Sequence, residues 1–168
     1  VPAFIVSSCL RSNPVMVYFG QELGEKGMDC EGFSGQDGRT TIFDYWNVDS
    51  IYRWSNRGRW NTHLLSEKEK ELRKTYETIL HICQKEQAIS KGEFFDLMYV
   101  NLNGWQMNEH KQYAFLRKYG QEVLFIMVNF SDTATQVAVN VPAHAFEYFK
   151  MTPSAQCNAK DLLTGKTE

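Results

Sequence analysis

Two carboxylates follow an apolar run near the start of the chain. The run Val15–Phe19 leads into Gly20, and Glu22 and Glu25 come next. Two carboxyl groups that flank a cleft can act as the acid and the nucleophile of glycoside hydrolysis. The alternative is that one of them caps a helix or pairs with an arginine such as Arg39, because ion pairs are common on loops. The spacing alone favours the structural role.

Other residue types that could do chemistry lack the spacing for it. The cysteines, at positions 9, 30, 83 and 157, form no close-spaced pair of the kind that zinc sites use. The sequence therefore predicts buried or idle thiols, with no metal or cofactor site. The glycines of residues 32–38 match neither the dinucleotide fingerprint nor a P-loop. The four histidines are scattered without an obvious nucleophile beside them, so we expect no local catalytic triad.

The segment YRWSNRGRW, residues 52–60, interleaves aromatic rings with arginines. Stacking rings between cations are typical of sites that bind single-stranded nucleic acid. The alternative is that the rings cover the edge of a core while the arginines are solvated or paired. The net charge of −2 favours this alternative. No apolar run approaches the roughly 20 residues that span a bilayer. We expect neither a nucleic-acid nor a membrane partner.

The composition is that of a folded protein, with 43% hydrophobic and 23% charged residues in a chain of 168. Apolar residues at helical spacing predict a helix before Asn13-Pro14. The continuous run Val15–Phe19 fits a strand that is buried on both faces, as in a parallel sheet. A capping box at 66–69 predicts the start of a long helix over 67–87.

After Gly92 the apolar period changes from 3.6 to two. Strands are predicted over residues 94–102, 113–120, 122–130 and 135–142, and the apolar third one is expected to be central. The chain thus divides into a mixed part, 1–91, and an all-β part, 92–168, which is an antiparallel module of at least four strands.

Four stretches taken in order resemble one known family. They are NPVMVYFGQELGE at 13–25, GFSGQDGRTTIFDYW at 32–46, the capped helix ending in AISKGEF, and the β module. Together they are similar to the C-terminal part of the family 13 glycoside hydrolases, the α-amylase family.

This resemblance implies a mixed α/β fragment. Val15–Phe19 would be the last strand of a (β/α)8 TIM barrel, and its loop would open onto the substrate cleft, where barrel enzymes keep their active sites. Residues 1–91 would be the C-terminal end of the catalytic barrel, including the last helix at 67–87. Residues 92–168 would be domain C, an incomplete antiparallel β-sandwich.

The resemblance also implies which residues react with the substrate and which only bind it. The family uses a retaining mechanism on α-glucan oligosaccharides and polysaccharides, but its reacting carboxylates follow earlier strands and match no residue of this chain. We therefore expect the chain alone to be inactive, without catalytic residues. The expected substrate-binding or cleft-shaping residues are Gln21, Glu22, Arg39, Tyr45 and Trp46.

The alternative is a freestanding carbohydrate-binding or structural β module. Its stacking platforms would be Trp54, Trp60, Trp105 or Tyr113, because sugar faces pack on aromatic rings. Under the first interpretation, the run Val15–Phe19 lacks its neighbours in the barrel. We then expect it to pair with another copy, giving self-association, or to lose its strand form.

Overall fold

The computed structural model describes residues 1–26, 48–102, 106–154 and 157–167. It has a mixed α/β fold with a three-stranded antiparallel sheet. The chain forms two compact units, one of Val15–Thr78 and the other of Val1–Pro14 with Ile79–Glu168. The division at residue 91 stays a prediction.

The helices largely follow the local signals of the sequence. Helix α1 covers Pro2–Cys9 and ends before Asn13-Pro14, as predicted. The others are α2 (Asp49–Ser55), α3 (Glu67–Lys85), α4 (Gln87–Ser90) and α5 (Ala143–Tyr148). Of these, α2 and α5 fall in regions for which no helix was expected.

The capping box at the start of α3 is confirmed. The Ser66 hydroxyl accepts from the backbone N–H of Glu69 at 3.3 Å, and the Glu69 carboxylate accepts from the backbone N–H of Ser66 at 2.7 Å. These two bonds satisfy amides that the first turn leaves without a helical partner. The helix ends two residues earlier than predicted, because Glu86 has extended backbone (φ −81°, ψ 115°).

The sheet has the order β1-β2-β3, formed by Glu93–Asp96, Gln112–Tyr119 and Glu122–Asn129. Ala114 and Leu116 of β2 pack in a cluster with Ala145 and Phe149 of the α5 region. On the opposite face of β2, Phe115 packs with residues of α1 and α4. The middle strand is therefore covered by helices on both faces.

Three predictions for this sheet are wrong. The strand predicted over residues 94–102 ends at Asp96, and Met98–Val100 form a 3₁₀ turn instead. The central strand is β2, and the apolar strand β3 lies at an edge, where Val123 and Phe125 are exposed. Residues 135–142 form no strand. Val139 packs against the α5-side cluster, but the hydrogen bonds of this segment are isolated ones, such as Ala138 N–H to Gln106 O, and do not build a ladder.

The strand predicted over Val15–Phe19 is also absent. The segment has no regular secondary structure, and the side chains of Met16 and Tyr18 are 80% and 50% exposed. No other strand pairs with it among the described residues, so its backbone lacks the ladder that defines a strand. Loss of strand form is one of the two outcomes expected for the isolated run, and the (β/α)8 barrel itself stays a prediction.

Candidate functional site

The turn that follows Val15–Phe19 is set by two glycines. A single 3₁₀ turn, Gln21–Leu23, lies between Gly20 (φ +74°) and Gly24 (φ +77°). Such left-handed backbone strains any residue with a Cβ atom. At Gly20 an added Cβ would also lie 2.8 Å from the Cβ of Glu25. The sequence GQELG therefore specifies this turn locally.

A small apolar cluster holds the turn in place. Leu23, on the 3₁₀ turn, is only 3% exposed and packs with Val48, Ile51 and Leu65. Burial of a leucine side chain stabilises a structure by about 1.5–3 kcal/mol. The turn is thus attached to the core of its own unit.

Gln21 ties the turn to α3 through its side chain. Its Oε1 accepts from the Tyr18 backbone N–H at 3.1 Å, and its Nε2 donates to the Tyr76 hydroxyl at 3.1 Å. The backbone N–H of Glu25 donates to Gly20 O at 3.0 Å and closes the turn. Both ends of the Gln21 amide are engaged, so its role is to shape this site.

The two carboxylates of the turn have different surroundings. Glu25 accepts hydrogen bonds from the Ser50 hydroxyl and from the Lys26 backbone N–H. This is the structural role that the sequence favoured, although the partner of Glu25 is a serine and not the arginine that was suggested. Glu22 is half-buried, and within the described part of the chain its carboxylate makes no hydrogen bond or ion pair. Glu22 can therefore accept hydrogen bonds from a ligand, whereas Glu25 is already used.

The structure places Gln21 and Glu22 side by side on one turn. Arg39, Tyr45 and Trp46, the other expected substrate-binding residues, lie outside the described residues. Within the described ranges no group of histidine, cysteine and acidic residues could hold a metal ion. None of the described helices has both the length and the apolar character needed to cross a bilayer.

The basic and aromatic segment 52–60 is largely committed to structure. Trp54 packs against the Leu23 cluster, and the Arg73 guanidinium lies 4.3 Å from the centroid of its ring. Arg53 forms an ion pair with Glu69. These contacts agree with the alternative in which rings cover a core edge and arginines are paired. Trp60 differs, since it is 57% exposed.

Glu69 has a perturbed pKa because it serves both the ion pair and the capping box. Burial raises the pKa of its carboxyl, but hydrogen bonds from Arg53 and Ser66 outweigh burial and lower it overall. Glu69 is thus held in its charged form by two partners from different segments of the same unit.

Two groups in the other unit were missed by sequence reasoning. Arg117 of β2 is buried, and its guanidinium donates to four backbone carbonyls and one hydroxyl. The thiols of Cys9 and Cys83 lie 3.9 Å apart. The sequence contains no local signal for either arrangement, because the partners are far apart along the chain. In the unit Val15–Thr78, the hydrogen bond between Gln21 and Tyr76 was likewise not predicted, because these residues are 55 positions apart.

No protein-family model, curated protein or solved structure matches this chain.

Proposed function

We propose that this chain is the C-terminal part of a longer α-glucan-acting retaining glycosidase of the α-amylase type. In this proposal Val15–Phe19 supplies the last strand of a (β/α)8 barrel, and residues 92–168 supply a β-sandwich domain. The reacting carboxylates belong to the rest of that protein, and this chain alone is inactive. The observation that carries the proposal is the segment 13–25, whose apolar run leads into a fixed turn that presents an uncommitted carboxylate.

The turn has the properties that a sugar-binding position needs. Its backbone is fixed by two glycines, a buried leucine and the Gln21 side chain, so little conformational entropy is lost on binding. The Glu22 carboxylate can accept hydrogen bonds from sugar hydroxyls, and a hydrogen bond to a charged group contributes about 1.5–3 kcal/mol. Glu22 therefore binds, and Gln21 positions the turn. Arg39, Tyr45 and Trp46 remain proposed cleft residues on the resemblance alone.

The first experiment reads the coding sequence upstream of Val1 in the source DNA. The proposal expects a longer open reading frame with an Asn-His-Asp-like motif shortly before this segment. An upstream sequence that encodes no barrel strands would refute it.

The second experiment uses that longer protein and compares Glu22→Gln with Glu71→Gln, a control at an exposed position of α3. Loss of one charged hydrogen bond is expected to raise KM for maltoheptaose about tenfold in Glu22→Gln. The control is expected to match the parent. Equal kinetics of the two variants would remove Glu22 from the substrate site.

A second function, a freestanding carbohydrate-binding module, is favoured by the exposure of Trp60. Isothermal titration of the 168-residue chain with maltoheptaose distinguishes the two. The first proposal expects no hydrolysis and no measurable binding. Binding that Trp60→Ala abolishes, while Tyr52→Ala, a control at another exposed ring, retains it, would establish the second.

Self-association through Val15–Phe19 follows from the first proposal. Met16 presents an apolar side chain on a backbone that has no strand partner among the described residues, and unpaired backbone favours edge pairing. Sedimentation velocity of the 168-residue chain should show a concentration-dependent dimer that Met16→Lys weakens. Leu163→Lys, at another exposed apolar residue, is the control. A parent chain that stays monomeric at high concentration would contradict this expectation.

A further inference from the structure

Two cysteines that are distant in sequence meet in the unit that contains the sheet. Cys9 is the last residue of α1, and Cys83 lies in the last turns of α3, 74 positions away. Their sulfur atoms are 3.9 Å apart, which is van der Waals contact. Both belong to the cluster built on Ile89 and Phe115, so the packing of this core holds them together.

The two thiols differ in their access to solvent. Cys9 is only 5% exposed, whereas Cys83 is partly exposed. A reagent in solution therefore reaches Cys83 first, and Cys9 is held behind it as a second thiol. This is the arrangement of an attacking and a resolving cysteine.

The local electrostatics favour a thiolate on the accessible residue. The hydrogen bond with the Cys9 thiol lowers the pKa of Cys83, and it outweighs the opposing effect of burial. The same hydrogen bond and burial raise the pKa of Cys9, against the opposite influence of Arg117. Because the thiolate is the nucleophile of disulfide exchange, the reaction starts at Cys83.

We propose that Cys9 and Cys83 form a redox-active pair that closes to an intramolecular disulfide in the presence of a low-molecular-weight disulfide such as oxidised glutathione. The Cys83 thiolate attacks one sulfur of glutathione disulfide, whose S–S bond breaks, and one glutathione thiolate leaves. Cys9 then loses its proton to solvent and attacks Cys83 Sγ. The mixed disulfide breaks and releases the second glutathione. Two protein thiols are oxidised, and one glutathione disulfide is reduced to two thiols.

The bond would fix α1 to α3 within this unit. Disulfides that close long loops restrict the unfolded chain most, and here the loop spans 74 positions. The oxidised chain should therefore have a higher Tm than the reduced chain. The pair is independent of the glycosidase proposal, since it involves none of the substrate-binding residues.

The test uses the 168-residue chain with Cys30→Ser and Cys157→Ser, so that only the pair remains. After incubation with oxidised glutathione and quenching of free thiols, intact-mass spectrometry should find a product lighter by two hydrogen atoms. Non-reducing peptide mapping should join the peptides that contain Cys9 and Cys83. The ratio of this product to glutathione adducts should be at least about tenfold higher in buffer than in urea, because the fold supplies the proximity.

Two results would overturn the proposal. One is a native chain in which Cys83 stops at the glutathione adduct or stays reduced. The other is a product ratio that urea leaves unchanged, since it would show that the fold does not bring the thiols together. The single variant Cys9→Ser is the matched control, and it should accumulate the adduct at Cys83. A Cys9→Ser chain without the adduct would also contradict the proposed order of attack.

Discussion

Arg117→Met tests the main polar interaction of the sheet-containing unit. The guanidinium donates to the carbonyls of Leu10, Ala88, Ile89 and Gly92 at 2.7–3.0 Å. It also donates to the Ser12 hydroxyl at 3.1 Å. These acceptors follow α1 or lie in and after α4, so one side chain joins two helix ends to the middle strand. Burial lowers the pKa of Arg117, but an arginine still keeps its charge under ordinary conditions.

The expected loss of unfolding free energy follows from the number of hydrogen bonds that Arg117 makes. Because Nη2 has two N–H groups for three acceptors, the five contacts amount to about four hydrogen bonds, which contribute about 4 kcal/mol at about 1 kcal/mol each. Replacement by methionine fills a similar volume and relieves the desolvation of a buried charge, which offsets part of that loss. The expected net destabilisation is about 3 kcal/mol. Arg11→Met, the same replacement at an exposed position, should change stability by less than about 0.5 kcal/mol.

The assay is urea unfolding, monitored by far-ultraviolet circular dichroism. The slope of the unfolding free energy against urea concentration is compared among variants, to check that unfolding exposes the same surface. Amide hydrogen exchange then shows where the loss occurs, and β2 and the 88–92 segment should exchange faster. If the two methionine variants unfold at the same urea concentration, the hydrogen bonds of Arg117 add no net stability, and the reasoning is wrong.

Two further predictions concern the unit Val15–Thr78. Because the pKa of Glu69 is lowered on folding, its contribution to stability is complete above its ordinary pKa of 4.5 and is lost as the pH falls through the lower folded value. Below pH 4.5, the urea midpoint of the parent should therefore fall more steeply with decreasing pH than that of Glu69→Gln. Parallel plots of midpoint against pH for the two proteins would contradict this. Gly20→Ala should cost more than Gly58→Ala, since both have positive φ but only the new Cβ at Gly20 meets a neighbour within 3 Å. The Gly58 variant should lose about 1–2 kcal/mol from backbone strain alone, and equal losses in thermal unfolding would show that the clash at Gly20 relaxes.

The parts of the fold that were predicted correctly depend on neighbours in sequence. The capping box before α3 acts within four residues, and the hairpin between β2 and β3 turns at Gly120 and Gln121. The turn at 20–24 was not predicted as such, although it also depends on local glycines. Each of these features can be deduced from a short window.

The incorrect predictions concern features that depend on distant partners. Residues 135–142 alternate like a strand, yet the alternation only places Val139 against a core and does not supply a neighbouring strand. The contact between Cys9 and Cys83 and the bonds of Arg117 join residues 25–107 positions apart. For the candidate site, the sequence indicated Gln21 and Glu22, but it could not show which carboxylate would be used internally.

The apolar runs Val15–Phe19 and β3 show why composition does not decide strand formation. Strand β3 follows β2 through a two-residue turn, so its backbone partner is supplied within the same hairpin. Val15–Phe19 has a similar composition but no such partner among the described residues, and it stays irregular. The turn that follows it is nevertheless formed, because Leu23 and Gln21 contact residues of their own unit. Under the proposed function the turn would be preformed, and only the strand would depend on pairing with neighbouring strands.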